Sequence, residues 1–130
     1  MNTPAQHPLV LVIDDSPVVR KVIEVILRRE GGQVIGYGDP VEAMRELADH
    51  RLPLPDVAFV DLLLPKIDGY DVIRRLRAYA HNHALAIIVV TRLDGVLPRL
   101  LSRLAGADAY LMKPFTQQQL IDLVMEYSPH

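Results

Sequence analysis

Asp14, Asp15, Asp61, Thr91 and Lys113 are the residues of this sequence whose types could do chemistry together. Each lies at the end of a short apolar run: Asp14-Asp15-Ser16 follows Leu9 to Ile13, Asp61 follows Val57 to Val60, Thr91 follows Ala86 to Val90, and Lys113-Pro114-Phe115 follows Ala109 to Met112. Carboxylates crowded into one pocket repel and raise one another's pKa unless a cation joins them. A hard divalent ion is the natural partner, and Mg²⁺ takes one or two carboxylates, some waters and a phosphate oxygen. The set therefore reads as a Mg²⁺ and phosphoryl site. No G-x-x-x-x-G-K-[ST] is present to cradle a triphosphate, and the single G-x-G, Gly36-Tyr37-Gly38, lacks the third glycine of a dinucleotide turn. What remains is covalent chemistry, with an aspartate as the nucleophile that takes a phosphoryl group.

Such a pocket needs elements that bring distant residues to one place. A fifth apolar run, Gln33 to Tyr37, ends in Gly38-Asp39 and offers less chemistry. The runs are continuous rather than alternating and rich in β-branched residues, which means burial on both faces, as in a parallel sheet between helices. The segments between them have helical period at about 17–30, 40–50, 70–80, 95–105 and 116–127. Gly31-Gly32 stops the first helix, Gly106 stops the fourth, and Thr116 is placed to cap the fifth. Asp68-Gly69 reads as a loop turn before the third helix. The order is (βα)₅, an α/β chain with a doubly wound, five-stranded parallel sheet. Ligands of such sheets lie at the carboxyl ends of the strands, near the point where strand order reverses.

Composition narrows the class. A chain of 130 residues allows one domain, expected at 9–127, with 1–8 as a loose lead and 128–130 as the end. Without cysteine there is no disulfide scaffold, thiolate zinc site or thiol nucleophile. Fourteen Lys and Arg against sixteen Asp and Glu argue against a nucleic-acid footprint. No apolar stretch is long enough for a membrane span, and the opening residues do not form a secretory signal, so the expected compartment is the cytoplasm.

Four segments carry a family resemblance. Leu11-Val12-Ile13-Asp14-Asp15-Ser16, the stretch Val60-Asp61 through Asp68-Gly69-Tyr70, Val89-Val90-Thr91, and Gly106 through Lys113-Pro114-Phe115 resemble the receiver domain of two-component response regulators in order and spacing. The resemblance covers about residues 8–127 and implies a flavodoxin-like receiver fold. Because the chain ends with the fifth helix, it is similar to the stand-alone receivers of chemotaxis and twitching-motility pathways. The resemblance implies that Asp61 is the phosphoacceptor, fed by a sensor histidine kinase or histidine phosphotransfer protein. It implies that Asp15, Asp61 and the Leu63 carbonyl hold Mg²⁺, with Asp14 assisting and orienting Lys113. Thr91 and Lys113 would contact phosphoryl oxygens, Tyr110 would be the aromatic switch, and a cis peptide would precede Pro114. An unidentified output protein would read the switch, without nucleic acid or membrane.

Other features carry rival or structural readings. Asp14-Asp15-Ser16 also suits helix capping, and Asp61 a turn. Leu63, Arg92 and Leu93 are bulky where they frame the mouth of the pocket, which predicts a slow, long-lived phosphorylation. A haloacid-dehalogenase-like phosphatase would want a second acid where Leu63 stands, and a non-phosphorylated adaptor would require Arg92 to block the site. On the first helix Val18, Val22, Val25 and Ile26 form one stripe, and Val19, Ile23 and Leu27 widen the apolar arc to about 200°, which predicts a donor-docking edge at Ile23 and Leu27. Leu97, Leu100, Leu101 and Leu104 are expected to face the core, and Arg74, Arg75 and Arg77 to face solvent opposite Val72, Ile73, Leu76 and Tyr79. Ile121 and Met125 lie beside the stripe of the last helix, and His81 and His83 read as solvated loop residues.

Overall fold

The computed structural model describes residues 7–80 and 84–128; His81 and His83 lie outside the described residues. Among the described residues ten elements alternate: β1 (Leu9–Ile13), α1 (Pro17–Arg29), β2 (Gln33–Tyr37), α2 (Pro40–Ala48), β3 (Val57–Val60), α3 (Gly69–Tyr79), β4 (Ala86–Thr91), α4 (Val96–Ala105), β5 (Ala109–Met112) and α5 (Gln117–Tyr127). Every helix but α4 starts where a polar side chain satisfies a free N–H group. Ser16 accepts from Val19 N ahead of Pro17, Asp39 accepts from Val41 N ahead of Pro40, and Thr116 closes a reciprocal capping box with Gln119. Pro8 is not a loose end, because its carbonyl accepts from Gln33 N at 2.9 Å.

All strand pairs are parallel, in the order β2-β1-β3-β4-β5. The chain leaves β1 toward β2 and then crosses back to β3 on the other side of β1. Strand order therefore reverses between β1 and β3, and the crevice at their carboxyl ends is where such a sheet holds its ligand. Side chains alternate between the two faces. Leu11, Ile13, Ala58, Val60, Ile87 and Val89 pack toward α2 and α3, while Val10, Val12, Val57, Phe59, Ile88 and Val90 pack toward α1 and α5. Every residue of β3 and β4 is buried, which accounts for the unbroken apolar runs.

Three helix faces differ from expectation. On α1 the core takes Ile23, Ile26 and Leu27, whereas Val18 is 71% exposed and Val22 and Val25 are also exposed. The predicted docking edge at Ile23 and Leu27 is thus interior, and the surface edge is the Val18, Val22 and Val25 side. A helix between a sheet and solvent buries one arc only, and an arc of 200° does not by itself say which part. On α4 the leucines face out: Leu97, Leu100, Leu101 and Leu104 are all exposed, Leu104 to 74%. Its buried residues are Ser102 and Ala105, and the Ser102 hydroxyl donates to Pro98 O at 2.7 Å, so burying that serine leaves no polar atom unpaired. On α3, Arg74 and Arg75 are exposed as expected, but Arg77 is not a solvated charge. Its guanidinium donates to Gly106 O, to Leu85 O at 2.7 Å and to Asp108 at 2.7 Å, binding α3 to the segments flanking β4 and β5. Tyr79 is exposed, with its phenol donating to Leu47 O. Ile121 packs against the α5 side of the core, and Met125 is exposed.

Asp68 and Gly69 belong to α3 rather than to a free turn. Asp68 is the N-cap, accepting from Tyr70 N at 2.9 Å, and Gly69 is the first helical residue. A Cβ at Gly69 would lie 2.5 Å from Leu62 Cα and 2.8 Å from Asp61 O, both backbone atoms. Only glycine lets α3 start this close behind the end of β3.

Candidate functional site

The ladders extend one residue past the strands and thereby set the site. Ile13 is paired with Val60, so Asp14 and Asp61 emerge side by side, and Asp61 N donates to Ile13 O at 3.0 Å. Asp14 N donates to Tyr37 O at 3.1 Å, and Lys113 N donates to Thr91 O at 2.8 Å. Thr91 itself ends β4, opposite Met112.

Asp14, Asp61 and Thr91 are buried, and Asp15 is exposed. The Lys113 ammonium reaches between the strands to donate to Asp14 Oδ2 at 2.6 Å and to Asp61 Oδ2 at 2.8 Å. The remaining carboxylate oxygens accept from backbone: Asp14 Oδ1 from Ser16 N at 2.9 Å, and Asp61 Oδ1 from Leu63 N at 3.0 Å. Burial pushes the Asp14 carboxyl up, against the lowering effect of Lys113 and Ser16 N. For Lys113 burial acts downward, but hydrogen bonds to Asp14 and Asp61 outweigh it and hold the ammonium above its ordinary value of 10.5.

Asp14, Asp15 and Asp61 offer carboxylate oxygens that all lie within 4.8 Å of one another. Three hard oxygen donors share one ammonium, so the pocket carries a charge deficit that a divalent ion would fill. The donor set suits an oxygen-seeking cation such as Mg²⁺ or Ca²⁺ and no soft metal. The structure thus brings together all of the acids and the lysine that the sequence points to.

The flanking residues divide. The Thr91 hydroxyl accepts from Leu93 N at 3.4 Å, at the long limit of a hydrogen bond. Leu93 is half-buried against the core, and its carbonyl accepts from the Tyr110 hydroxyl at 2.6 Å. The Tyr110 ring lies under the Arg99 guanidinium at 4.5 Å, a cation–π contact that joins β5 to α4. Leu63 and Arg92 are exposed, and Arg92 lines a cleft of about 540 Å³ with Val18, Val19, Val22, Lys113, Pro114 and Phe115. The Lys113-Pro114 peptide is cis. One contact has no motif to announce it: Arg20 of α1 donates to the backbone carbonyl of Asp14 at 2.7 Å.

Residues 10–125 match the response regulator receiver domain. The chain belongs to that family. PilG of Pseudomonas aeruginosa is 31% identical over 92% of this chain and 87% of its own length. The DNA-binding response regulator MtrA of Mycolicibacterium smegmatis is 34% identical over 93% of this chain, which spans only half of MtrA. Among solved structures, a response regulator of Chloroflexus aurantiacus superposes with a TM-score of 0.83 at 31% identity, covering 93% of this chain and 97% of that one. The BeF3-activated receiver domain of DrrB superposes with a TM-score of 0.81 at 25% identity, with the same coverage. Family membership makes this receiver part of two-component signalling, with histidine kinases upstream and targets downstream. It removes the grounds for the phosphatase reading, and no helix among the described residues is long and apolar enough to cross a membrane.

Removing the ammonium should expose the repulsion it holds down. Lys113→Ala leaves the buried carboxyls of Asp14 and Asp61 facing each other, which should cost about 3 kcal/mol of stability near neutral pH. In the variant the Asp14 carboxyl, already pushed up by burial, loses the lowering contribution of Lys113, so stability returns as pH falls through its raised value. In the parent, the lysine's contribution is complete below 10.5 and is lost as pH rises through its higher folded value. The difference between the two proteins, followed by urea denaturation across pH without divalent ions, should peak between neutral and about pH 10 and shrink on either side. A difference that does not vary with pH would contradict this account.

Proposed function

We propose that this receiver is a phosphorylation-driven switch. Asp61 accepts a phosphoryl group from a phosphohistidine on a sensor histidine kinase or histidine phosphotransfer protein, and the phosphorylated form changes its contact with an output protein. The observation that carries this reading is the environment of the Asp61 carboxylate. It is buried, oriented by Lys113 on one oxygen and Leu63 N on the other, and set beside the acid pair of β1. In the transfer an Asp61 oxygen bonds to phosphorus as the P–N bond breaks, and the imidazole nitrogen keeps that bond's electron pair. Lys113, bonded to Asp61, and Thr91, at the end of β4, are the residues we assign to pair with phosphoryl oxygens. Phosphoryl transfer asks a protein chiefly for positioning and charge compensation.

Mg²⁺ is the ion we assign to the acid cluster. Asp15, Asp61 and the Leu63 carbonyl would hold it, with Asp14 assisting, and its charge would offset that of the transferring group. The output we assign is read through protein contact, in the cytoplasm.

The exposed side of α1 is the surface we assign to the phosphodonor. Val18 and Val22 line the cleft that also contains Lys113 and Arg92, so an apolar patch is continuous with the acid pocket. Leu63 and Arg92, both exposed, are the residues we assign to control of water and donor access, while Leu93 is tied into the core and contributes through its carbonyl.

Three variants test these assignments. Asp61→Asn keeps the shape and removes the nucleophile, so incubation with acetyl phosphate and Mg²⁺ should give no added phosphoryl mass where the parent gains one; equal labelling would refute the site. Val22→Asp should slow transfer from a cognate phosphohistidine protein about tenfold or more while leaving acetyl phosphate labelling within twofold, a desolvated charge costing more than 1.4 kcal/mol in binding. Equal slowing of both reactions would assign the effect to the fold instead. Leu63→Asn supplies a polar group beside the phosphoryl site and should shorten the half-life of the phosphorylated form several-fold, measured after rapid donor removal. An unchanged half-life would remove Leu63 from that role.

A further inference from the structure

We propose that Arg20 is a positioning residue of the acid pocket, clamping the Asp14–Asp15 peptide through a track made by Gly36 and Gly38. The inference rests on the metal-dependent reading of the pocket given above.

The Arg20 side chain leaves α1 and runs across β2 toward the end of β1. A Cβ on Gly36 would stand 3.2 Å from Arg20 Cδ, and one on Gly38 would stand 2.9 Å from Arg20 Nη1. The two glycines of Gly36-Tyr37-Gly38 therefore do not bind a nucleotide. They clear the path along which the arginine lies. Neither glycine has the positive φ that would reserve it for backbone reasons; what each provides is the missing side chain.

The arginine ends on Asp14 O at 2.7 Å. Among the described residues it takes part in no salt bridge. A guanidinium spent on a backbone carbonyl acts through geometry: its hydrogen bond fixes the plane of the peptide that Asp14 shares with Asp15. Asp14 N is already held by Tyr37 O, and the Asp14 carboxylate by Ser16 N and Lys113. The carbonyl is the remaining freedom, and the side chain that depends on it is Asp15, the exposed acid of the cluster. Among the described residues, Lys113, Ser16 N and Leu63 N hold Asp14 and Asp61 and not Asp15, so the plane of the Asp14–Asp15 peptide sets where the Asp15 side chain starts. Residues that orient a metal ligand typically change metal affinity by 10–100-fold when removed.

The test is a cycle of Arg20→Ala, Gly38→Ala and the double variant, with Arg20→Lys as the conservative replacement. Mg²⁺ affinity is read from amide chemical-shift titration, melting temperature is read without metal, and phosphoryl acceptance from acetyl phosphate is read by intact mass. Gly38→Ala acts at a distance from the pocket, because the new methyl displaces the guanidinium and touches no acid. The expected result is a loss of about tenfold in Mg²⁺ affinity in each single variant. The double variant should be no weaker than Arg20→Ala, since Gly38→Ala then has nothing to displace. Arg20→Lys should recover part of the affinity, and at saturating Mg²⁺ the phosphorylation rate should return toward that of the parent. Mg²⁺ affinity within twofold of the parent in Arg20→Ala, or additive losses in the double variant, would overturn the proposal. So would a fall in melting temperature with affinity unchanged, which is the mark of a merely structural arginine. If Arg20→Ala does not fold, Gly38→Ala with the parent decides alone. A parent that binds Mg²⁺ but gains no phosphoryl mass would refute the phosphoacceptor reading while the affinity comparison still judges Arg20.

Discussion

The structure depends on one ammonium held between two buried carboxylates. Lys113 follows the last strand and meets acids that follow the first and the third, so it joins the ends of β1, β3 and β5 across the sheet. Two carboxylates this close cannot both stay ionised in a poorly solvated place unless a cation sits between them. Lys113 bridges one oxygen of each buried acid, and Asp15 adds a third carboxylate that the ammonium does not contact. Three acids around one ammonium are what make a divalent ion welcome. The fold supplies the geometry cheaply, since parallel pairing of Ile13 with Val60 brings the two acids into register with no special loop.

The same end of the sheet is connected to the surface by two different kinds of element. α1 is firmly seated: it is capped by Ser16, runs beside β2, and buries Ile23, Ile26 and Leu27. α4 is held more lightly, with Gly95 at its start providing no side-chain cap and only Ser102 and Ala105 buried. Elements with few buried apolar groups and unsatisfied ends are the ones that open or shift at low cost. α4 is also the helix that meets Tyr110 through Arg99, and Tyr110 in turn holds the loop that follows Thr91.

How much of this was legible in the sequence follows from what a linear pattern can encode. Strands buried on both faces leave unbroken apolar runs, so β1 to β5 and the residues at their ends could be read directly; only the end of β4 moved, to include Thr91. The acids and Lys113 were found because topology alone brings strand ends together. Orientation was not legible. The α4 leucines have helical spacing whether they face the core or the solvent, and what decides the matter is Ser102, whose hydroxyl is satisfied by its own helix and can therefore be buried. Arg77 looks like its neighbours Arg74 and Arg75 until Gly106 and Asp108 arrive from 29 and 31 residues away. Arg20 was invisible for the same reason, and the glycines that admit it read as a broken nucleotide motif.

The placement of apolar surface beside the pocket has a chemical consequence. A small phosphodonor needs only the opening above Asp61, but a phosphohistidine carried on a protein must bring its own backbone with it. In the proposed function, an apolar patch formed by Val18 and Val22 and continuous with the cleft at Lys113 and Arg92 gives that protein something to bind while the phosphoryl group enters a polar, charge-matched interior. Water leaves the apolar rim on docking, and interactions among the charges inside strengthen as it does. On this proposal recognition and chemistry draw on separate residues, α1 for the first and the strand ends for the second. A sequence could then change its α1 surface to suit a different donor without disturbing Asp61, Lys113 or the acids that surround them.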